Sequence, residues 1–478
     1  MRVVIRLSGE IAVKSQRVRR QFQRQLRKNI RRCLKDHDID FTLEEEWSRF
    51  YLETASPLVT ELLMKIFGIQ SFSVVEKECQ SSLDQIVKHG TDLYWDRVAD
   101  QSYAVKAKRS GNHDFSSMDV QKELGAALNR SSGFVCLDDP QVPVHVEIRN
   151  ETTYFYSEVI KGPGGLPLGS GGHASCLISG GFDSAVAAWM LQKRGVTLEY
   201  LFCNVAEESY ERAVLQVSKV LADHWSFGHR PRIHVVDFSE IVKDLKSKVT
   251  PKFSQVILKR LFYRAADKLN EAIDSKATVT GEAIGQVSSQ TLTNLRAIDE
   301  VAEFPIMRPL IAFDKEDIIQ ISRKIGTFQI SSKVQEFCQL VPDKPVTACK
   351  VSSACKEESK LDLSLLDQAF ETRKILDLSS LTKHQLSTPY IFKQHIPEGS
   401  VVIDCRSKDE FEKGHLGDAI HKEYYDLLEE YKLLPKNQVY LLYCSVGMQT
   451  ALLAEKMQSD GYMAYSYKGG VQAMNLVQ

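Results

Sequence analysis

Between Val18 and Cys33 the apolar residues Val18, Phe22, Leu26, Ile30 and Cys33 recur at the spacing of one helix face. The positions between them are mostly basic: Arg17, Arg19, Arg20, Arg24, Arg27, Lys28, Arg31 and Arg32. The pattern predicts a helix that packs along one stripe and is strongly positive elsewhere. A strand before it and strands at Asp40–Leu43 and Arg49–Glu53 complete a small α+β unit over residues 1–56. Residues 57–168 give a second α+β unit, with helices expected at Leu58–Phe67, Leu83–Trp95 and Asp119–Leu128 and strands at Tyr103–Lys108, Val144–Ile148 and Thr153–Ile160.

The Gly- and Pro-rich run from Gly162 to Gly172 excludes a regular element and marks a hinge. Beyond it the pattern changes. Short apolar runs at Ala174–Ser179, Leu198–Cys203, Ile233–Asp237 and Ala277–Thr280 alternate with helical stretches at Asp183–Lys193, Glu207–Leu221 and Lys252–Ile273. That alternation predicts a parallel sheet with helices on both faces over residues 169–342. Residues 343–395 are more polar and are expected to form a tail element and a linker. A last α/β unit over 396–478 has strands at Val401–Asp404 and Val439–Tyr443 and a helix at Thr450–Gln458.

The chain has 478 residues, too many for one ordinary core, and 43% apolar with 26% charged residues fits folded protein rather than disorder. No apolar run is long enough to span a bilayer, and the N-terminal apolar stretch is too short for a signal peptide, so a cytoplasmic enzyme without a membrane is expected. The ten cysteines are too sparse for a disulfide scaffold, and no Cys-x-x-Cys pair among them suggests zinc. Net charge is only −1, but ten Lys or Arg and no acid lie between Ile11 and Lys35. Such a run is either a solvated basic face or a site for a polyanion, whose binding would release counterions. Arg17, Arg19, Arg20, Arg24, Arg27 and Arg31 are the candidate RNA-binding residues.

Ser179-Gly180-Gly181-Phe182-Asp183-Ser184 follows a buried-strand signal and opens a helix. Glycines let backbone N–H groups close around phosphate oxygens, and the helix N-terminus adds partial positive charge. Ser179 and Ser184 can donate hydroxyls. Asp183 would repel bare phosphate and is therefore the candidate ligand of a Mg²⁺ ion. The segment lacks the Gly-Lys-Ser/Thr of a Walker loop and the spacing of a dinucleotide loop. It resembles the signature of the PP-loop ATP pyrophosphatases, which split ATP between the α and β phosphates and adenylate an oxygen. Thr280–Thr291 and Arg308–Lys315 continue that resemblance downstream, with Lys315 expected to neutralise departing pyrophosphate. From the residues alone, Lys315 is also readable as an ordinary helix-start lysine and Lys259 as a surface lysine.

In the last unit Val439–Tyr443 leads through Cys444 into a helix, a setting that stabilises a thiolate or persulfide anion. With Asp404, Arg406, Gly414 and His415, this order of pieces resembles a rhodanese domain with Cys444 at its persulfide-carrying position. The loop Cys444–Thr450 has no arginine, unlike many rhodanese loops, so a protein donor is expected rather than thiosulfate. Cys405 lies in a strand and is expected to be structural.

Taken together, the chain resembles the tRNA 4-thiouridine synthetases in their long form. The fold implied is a ferredoxin-like and THUMP N-terminal half, a PP-loop Rossmann-like parallel-sheet domain and a C-terminal rhodanese-like α/β domain. The resemblance also implies ATP contacts at Leu177, Ile178, Lys259, Gly281 and Gln290. A cysteine desulfurase would load Cys444, and Cys338 would form a disulfide with it that a thiol reductant reopens. Cys349 and Cys355 are nearby rivals for Cys338. tRNA is the implied substrate, and a second role would supply sulfur to a thiamine sulfur-carrier protein. The resemblance leaves a homodimer open. Two competing functions are a sulfur carrier with a vestigial RNA part, against which the basic helix speaks, and another PP-loop synthetase, which would need a nitrogen source the chain does not supply.

Overall fold

The structure is a computed structural model that describes residues 1–46, 49–129, 132–205, 208–332, 344–382, 386, 391–445 and 447–474. It divides into two compact units, Met1–Ser170 with Lys193–Gly195, and Gly171–Gln192 with Val196–Gln478.

The first unit holds two sheets. Strands β1 (Arg2–Leu7), β2 (Phe41–Glu46), β3 (Arg49–Thr54) and β4 (Ile69–Val75) lie in the order β4-β1-β3-β2, with every neighbour antiparallel. Helix Gln16–Asp36 joins β1 to β2 and helix Val59–Leu63 joins β3 to β4, which makes the unit ferredoxin-like. The basic helix forms because its apolar stripe has a core to enter: Phe22, Leu26, Ile30, Cys33 and Leu34 are buried. The side-chain amides of Gln25 and Asn29 extend that face by donating to the Leu168 carbonyl at 2.9 and 3.0 Å.

The second sheet has β5 (Lys77–Gln80), β6 (Ser102–Ser110), β7 (Phe134–Val135), β8 (Val142–Arg149) and β9 (Thr152–Tyr156) in the order β5-β9-β8-β6-β7. Helix Ser117–Leu128 starts at a capping box in which the side chains of Ser116 and Asp119 satisfy each other's backbone N–H. Ile86, Tyr103, Leu124, Val144 and Phe155 are among its core residues. Two differences from the sequence pattern stand out. The first sheet reaches past residue 56, taking in β4 and also β10 (Ile160–Lys161), which pairs with β4. Strand β4 carries buried Ser71 and Ser73 on one face and buried Phe72 on the other, so it lacks the apolar–polar alternation that marks a half-buried strand. Strand β9 ends at Tyr156, short of the expected Ile160, because the chain crosses there to the other sheet.

The second unit also holds two sheets. Strands β11 (His173–Leu177), β12 (Thr197–Asn204), β13 (Arg232–Asp237), β14 (Thr278–Val279) and β15 (Ile306–Met307) are parallel, and β16 (Lys374–Asp377) closes one edge antiparallel to β13. Their order is β15-β14-β11-β12-β13-β16. The chain therefore runs outward on one side of β11 and returns on the other, which puts a switch point between the ends of β11 and β14. Leu201, Val236, Ile257, Leu261 and Tyr263 are in the core beneath it.

The stretch expected as tail and linker is corrected in its first part. Helices Val351–Glu358 and Ser364–Glu371 and strand β16 belong to this body, and Cys349, Ala354, Leu366 and Phe370 enter its core. Lys and Glu on the outer faces of short helices hide that stripe in the sequence, although Leu366 and Phe370 stand one turn apart.

The last sheet is parallel throughout: β17 (Phe392–Lys393), β18 (Val401–Asp404), β19 (Ile420–His421), β20 (Val439–Tyr443) and β21 (Met463–Tyr467), in the order β17-β21-β20-β18-β19. Helix Met448–Ser459 packs on it through Leu453, Ala454 and Met457. Among the described residues no helix is long and apolar enough to cross a membrane.

Candidate active site

The loop after β11 is shaped by its own serines. The Ser179 N–H donates to Ser184 Oγ at 3.0 Å, the two hydroxyls lie 3.1 Å apart, and the Gly181 N–H donates to Ser179 Oγ at 3.3 Å. The chain then enters helix Phe182–Lys193, whose first N–H groups have no acceptor within the helix. Leu177 and Ile178 precede the loop at the strand end, with Ile178 N–H bonded to the Leu201 carbonyl.

The turn after β14 presses against this loop. A Cβ on Gly281 would lie 2.6 Å from Asp183 C and Ser184 N, so only glycine permits the approach. The same turn is fastened by Gln290, whose Oε1 accepts the Ala283 N–H at 3.3 Å. Asp183 faces two donors from distant segments. Lys315 Nζ lies 2.9 and 3.0 Å from its two oxygens, and Gln286 Nε2 lies 2.9 Å from Oδ2. Lys315 also sits over the Phe182 ring at 5.5 Å. Lys259, on helix Ser254–Ala272, lies 3.6 Å from Glu282 Oε1.

The structure thus gathers Leu177, Ile178, Ser179, Gly180, Gly181, Asp183, Ser184, Gly281, Gln290 and Lys315 around one loop and turn, with Lys259 tied to that turn through Glu282. Gln286, Glu282 and Arg308 complete the surroundings; all three lie in the segments Thr280–Thr291 and Arg308–Lys315, without having been singled out there. The geometry fits a nucleotide. A bare strand-to-helix loop, a glycine-only contact and a lysine at the helix start are what a triphosphate needs. Asp183 offers one carboxylate to a Mg²⁺ ion, and both of its oxygens are taken by Lys315 and Gln286. A cation there would have to displace those donors and draw its remaining ligands from phosphate and water.

Cys444 occupies the end of β20 and is 2% exposed. The Gly447 N–H donates to its sulfur at 3.2 Å and the Thr450 hydroxyl points to it at 3.6 Å. Thr450 is held by Ser466 at 2.8 Å, and Ser466 in turn donates to the Gly447 carbonyl at 2.9 Å. Gly447 has φ +79°, and a Cβ there would meet the Tyr467 carbonyl at 2.5 Å. The sulfur thus accepts one backbone N–H, from Gly447, and has the Thr450 hydroxyl beside it.

Asp404 and Arg406 form a buried pair at 2.6 Å, and Arg406 also donates to the Gly414 carbonyl at 2.7 Å. His415 stacks on Phe411 at 3.9 Å. Asp404 ends strand β18, which pairs with the strand that leads into Cys444. Burial pushes the Cys405 thiol well above its usual range, with Cys444 and Asp404 adding to it. Cys338 lies outside the described residues. Cys349 is buried, and burial raises its thiol, whereas Cys355 is exposed and lies 3.6 Å from an Arg260 nitrogen.

Along the basic helix, Arg24, Arg27, Lys28, Arg31, Arg32 and Lys35 border one open depression between the helix's own side chains. Arg17, Arg20, Arg24 and Arg31 are exposed, and Arg19 and Arg27 are half-buried, Arg27 being 3.3 Å from Glu45.

Fold and site define a modular α/β enzyme, with a nucleotide loop at a switch point and a rhodanese-type cysteine cradle. Family models match four segments: ThiI ferredoxin-like domain at 2–73, THUMP domain at 80–158, Thiamine biosynthesis protein (ThiI) at 169–363 and Rhodanese-like domain at 388–476. A tRNA sulfurtransferase of Desulfurococcus amylolyticus is 36% identical over 473 residues, covering 98% of this chain and 97% of its own. One from Psychromonas ingrahamii is 34% identical over 476 residues, 97% of this chain and 98% of its own. The crystal structure of a 4-thiouridine synthetase–RNA complex with bound ATP superposes with a TM-score of 0.69 at 32% identity, covering 79% of this chain and 99% of that one. The chain belongs to the tRNA sulfurtransferase family.

Proposed function

We propose that the chain uses ATP to replace O4 of the uridine at tRNA position 8 by sulfur, giving 4-thiouridine. The observation that carries this is the presence, in one chain of this family, of a glycine-rich strand-to-helix loop at 179–184 and of Cys444 at a second strand-to-helix junction, its sulfur accepting the Gly447 N–H.

The loop N–H groups with Ser179, Ser184, Lys259 and Lys315 hold the phosphates of ATP, with Leu177, Ile178, Gly281 and Gln290 beside the nucleotide. The uridine oxygen takes the AMP moiety and pyrophosphate leaves toward Lys315, where a Mg²⁺ ion at Asp183 would share its charge. A cysteine desulfurase loads Cys444 as a persulfide. Its terminal sulfur attacks C4 and AMP departs, leaving sulfur bonded to both C4 and Cys444. The Cys338 thiolate then attacks the Cys444 sulfur, so the 4-thio group leaves as product and a Cys338–Cys444 disulfide remains. A thiol reductant restores both thiols.

The basic helix, with Arg17, Arg19, Arg20, Arg24, Arg27 and Arg31, serves as the tRNA backbone contact. The matched thiamine-biosynthesis model favours a second role, passing the same persulfide sulfur to a thiamine sulfur-carrier protein. The work is assigned to the cytoplasm, by one subunit or across a homodimer.

The test is product analysis of tRNA incubated with the protein, ATP, cysteine and a desulfurase. 4-Thiouridine is expected with wild type and is expected to vanish with Cys444→Ala. Full thiolation by that variant would overturn the sulfur-delivery route, and absence of tRNA-stimulated AMP release by wild type would overturn the adenylation.

A further inference from the structure

Glu282 is 2% exposed and stands one residue beyond the Gly281 contact. Three donors converge on its Oε2: Tyr263 Oη at 2.5 Å, Arg308 Nε at 2.9 Å and Thr280 Oγ1 at 3.0 Å. The other oxygen, Oε1, is buried and has no hydrogen-bond partner. Its nearest cation is Lys259 Nζ at 3.6 Å, too far for a hydrogen bond but close enough to attract. Burial works against the charged form, but Lys259 and Arg308 outweigh it and hold the carboxyl below its usual range.

A buried anionic oxygen without a donor is costly, and folds rarely keep one without use. Here Oε2 does the structural work, binding β14's turn to Arg308, which is itself clamped on Asp299. Oε1 is left facing a lysine whose side chain is 32% exposed. An unanchored lysine of that exposure would sample many rotamers, and ordering it on binding would cost entropy.

We propose that Glu282 is a positioning residue for the nucleotide site: Oε1 steers the Lys259 ammonium toward the phosphates of ATP, without itself touching them. This rests on the loop at 179–184 being an ATP site. Arg308 cannot substitute for Lys259, because its guanidinium is already shared between Glu282, Tyr263 and Asp299.

The full-length chain is tested by tRNA-dependent AMP release with Glu282→Gln, Lys259→Met and the double variant. Each single change is expected to raise KM for ATP about tenfold while leaving KM for tRNA within twofold. The double variant is expected to be no worse than Lys259→Met alone, because both changes remove one interaction. If Glu282→Gln does not fold, Glu282→Asp keeps the charge but withdraws it from Lys259 and is expected to raise KM for ATP severalfold. Unchanged KM for ATP in either folded Glu282 variant, additive effects in the double variant, or a fall in kcat alone would overturn the proposal. If wild type itself releases no AMP, the ATP assignment of the loop fails first, and the wild-type lane separates the two failures.

Discussion

Lys315 Nζ lies within hydrogen-bond distance of both carboxylate oxygens of Asp183, although 132 residues separate the two in the chain. The pair joins the first turn of the loop helix to the first residue of helix Lys315–Ile325. Nucleotide binding at the loop would have to share or release that lysine.

Lys315→Gln is therefore expected to lower tRNA-dependent AMP formation by about 10²–10³-fold, the usual loss when one donor to developing charge is removed. ATP binding by calorimetry should weaken much less. Retention of activity within threefold would show that Lys315 serves only to fix Asp183.

Gly281→Ala inserts a methyl where 2.6 Å separates it from the Asp183 and Ser184 backbone. The loop must shift, since both neighbours are main chain. A stability loss of roughly 1–3 kcal/mol is expected from such overpacking, with loss of ATP binding. Normal nucleotide titration in the variant would mean that loop and turn are not a rigid pair.

At the other site, Gly447→Ala strains a residue at φ +79° and drives a Cβ into the Tyr467 carbonyl. Persulfide loading of Cys444 from a desulfurase, followed with labelled sulfur, should fall at least tenfold. AMP release with tRNA should persist, because the loop at 179–184 is untouched. Loss of both activities together would refute the division of labour between loop and cysteine.

RNA affinity should depend on salt through the basic helix. Arg20/Arg24/Arg31→Glu is expected to reduce the slope of log K against log salt by about one unit for each phosphate the helix no longer neutralises. Filter binding from low to moderate salt checks this. A parallel shift with unchanged slope would place the RNA elsewhere.

Acid stability should report on Glu147, which is fully buried against Arg6, Arg49 and Arg149 at 2.7, 2.9 and 2.8 Å. Burial alone would raise its carboxyl, but Arg6 and Arg49 outweigh that and bring it from 4.5 down to about 2. The folded form binds its proton less readily than the unfolded form. Its contribution, on the order of 3 kcal/mol, is complete above about pH 4.5 and is lost as pH falls toward 2. Denaturant midpoints measured from pH 6 to 3 should fall for wild type and change less for Glu147→Gln, which starts lower.

The candidate sites were legible in the sequence where they are local. The basic helix shows in its spacing because Phe22, Leu26 and Ile30 must share one face. The loop 179–184 and the Cys444 junction show because each is a strand end running straight into a helix start, written in contiguous sequence. Strand β4 was not legible, since buried Ser71 and Ser73 give one face polar letters while Phe72 is buried on the other. Nor was the membership of residues 351–377 in the PP-loop body, where single apolar residues on short, charged helices carry the packing.

What the sequence determined by itself is thus the kind of reaction and the order of the modules, both written in short contiguous runs. Only the tertiary structure decided which distant side chains serve each run. Lys315 and Gln286 meet at Asp183, Glu282 faces Lys259, and Gly281 abuts the loop because β14 lies beside β11 in the sheet. That adjacency follows from strand order, which brings together segments about a hundred residues apart. No periodicity within either segment encodes it, because a local pattern fixes which face of an element is buried but not which neighbour it meets.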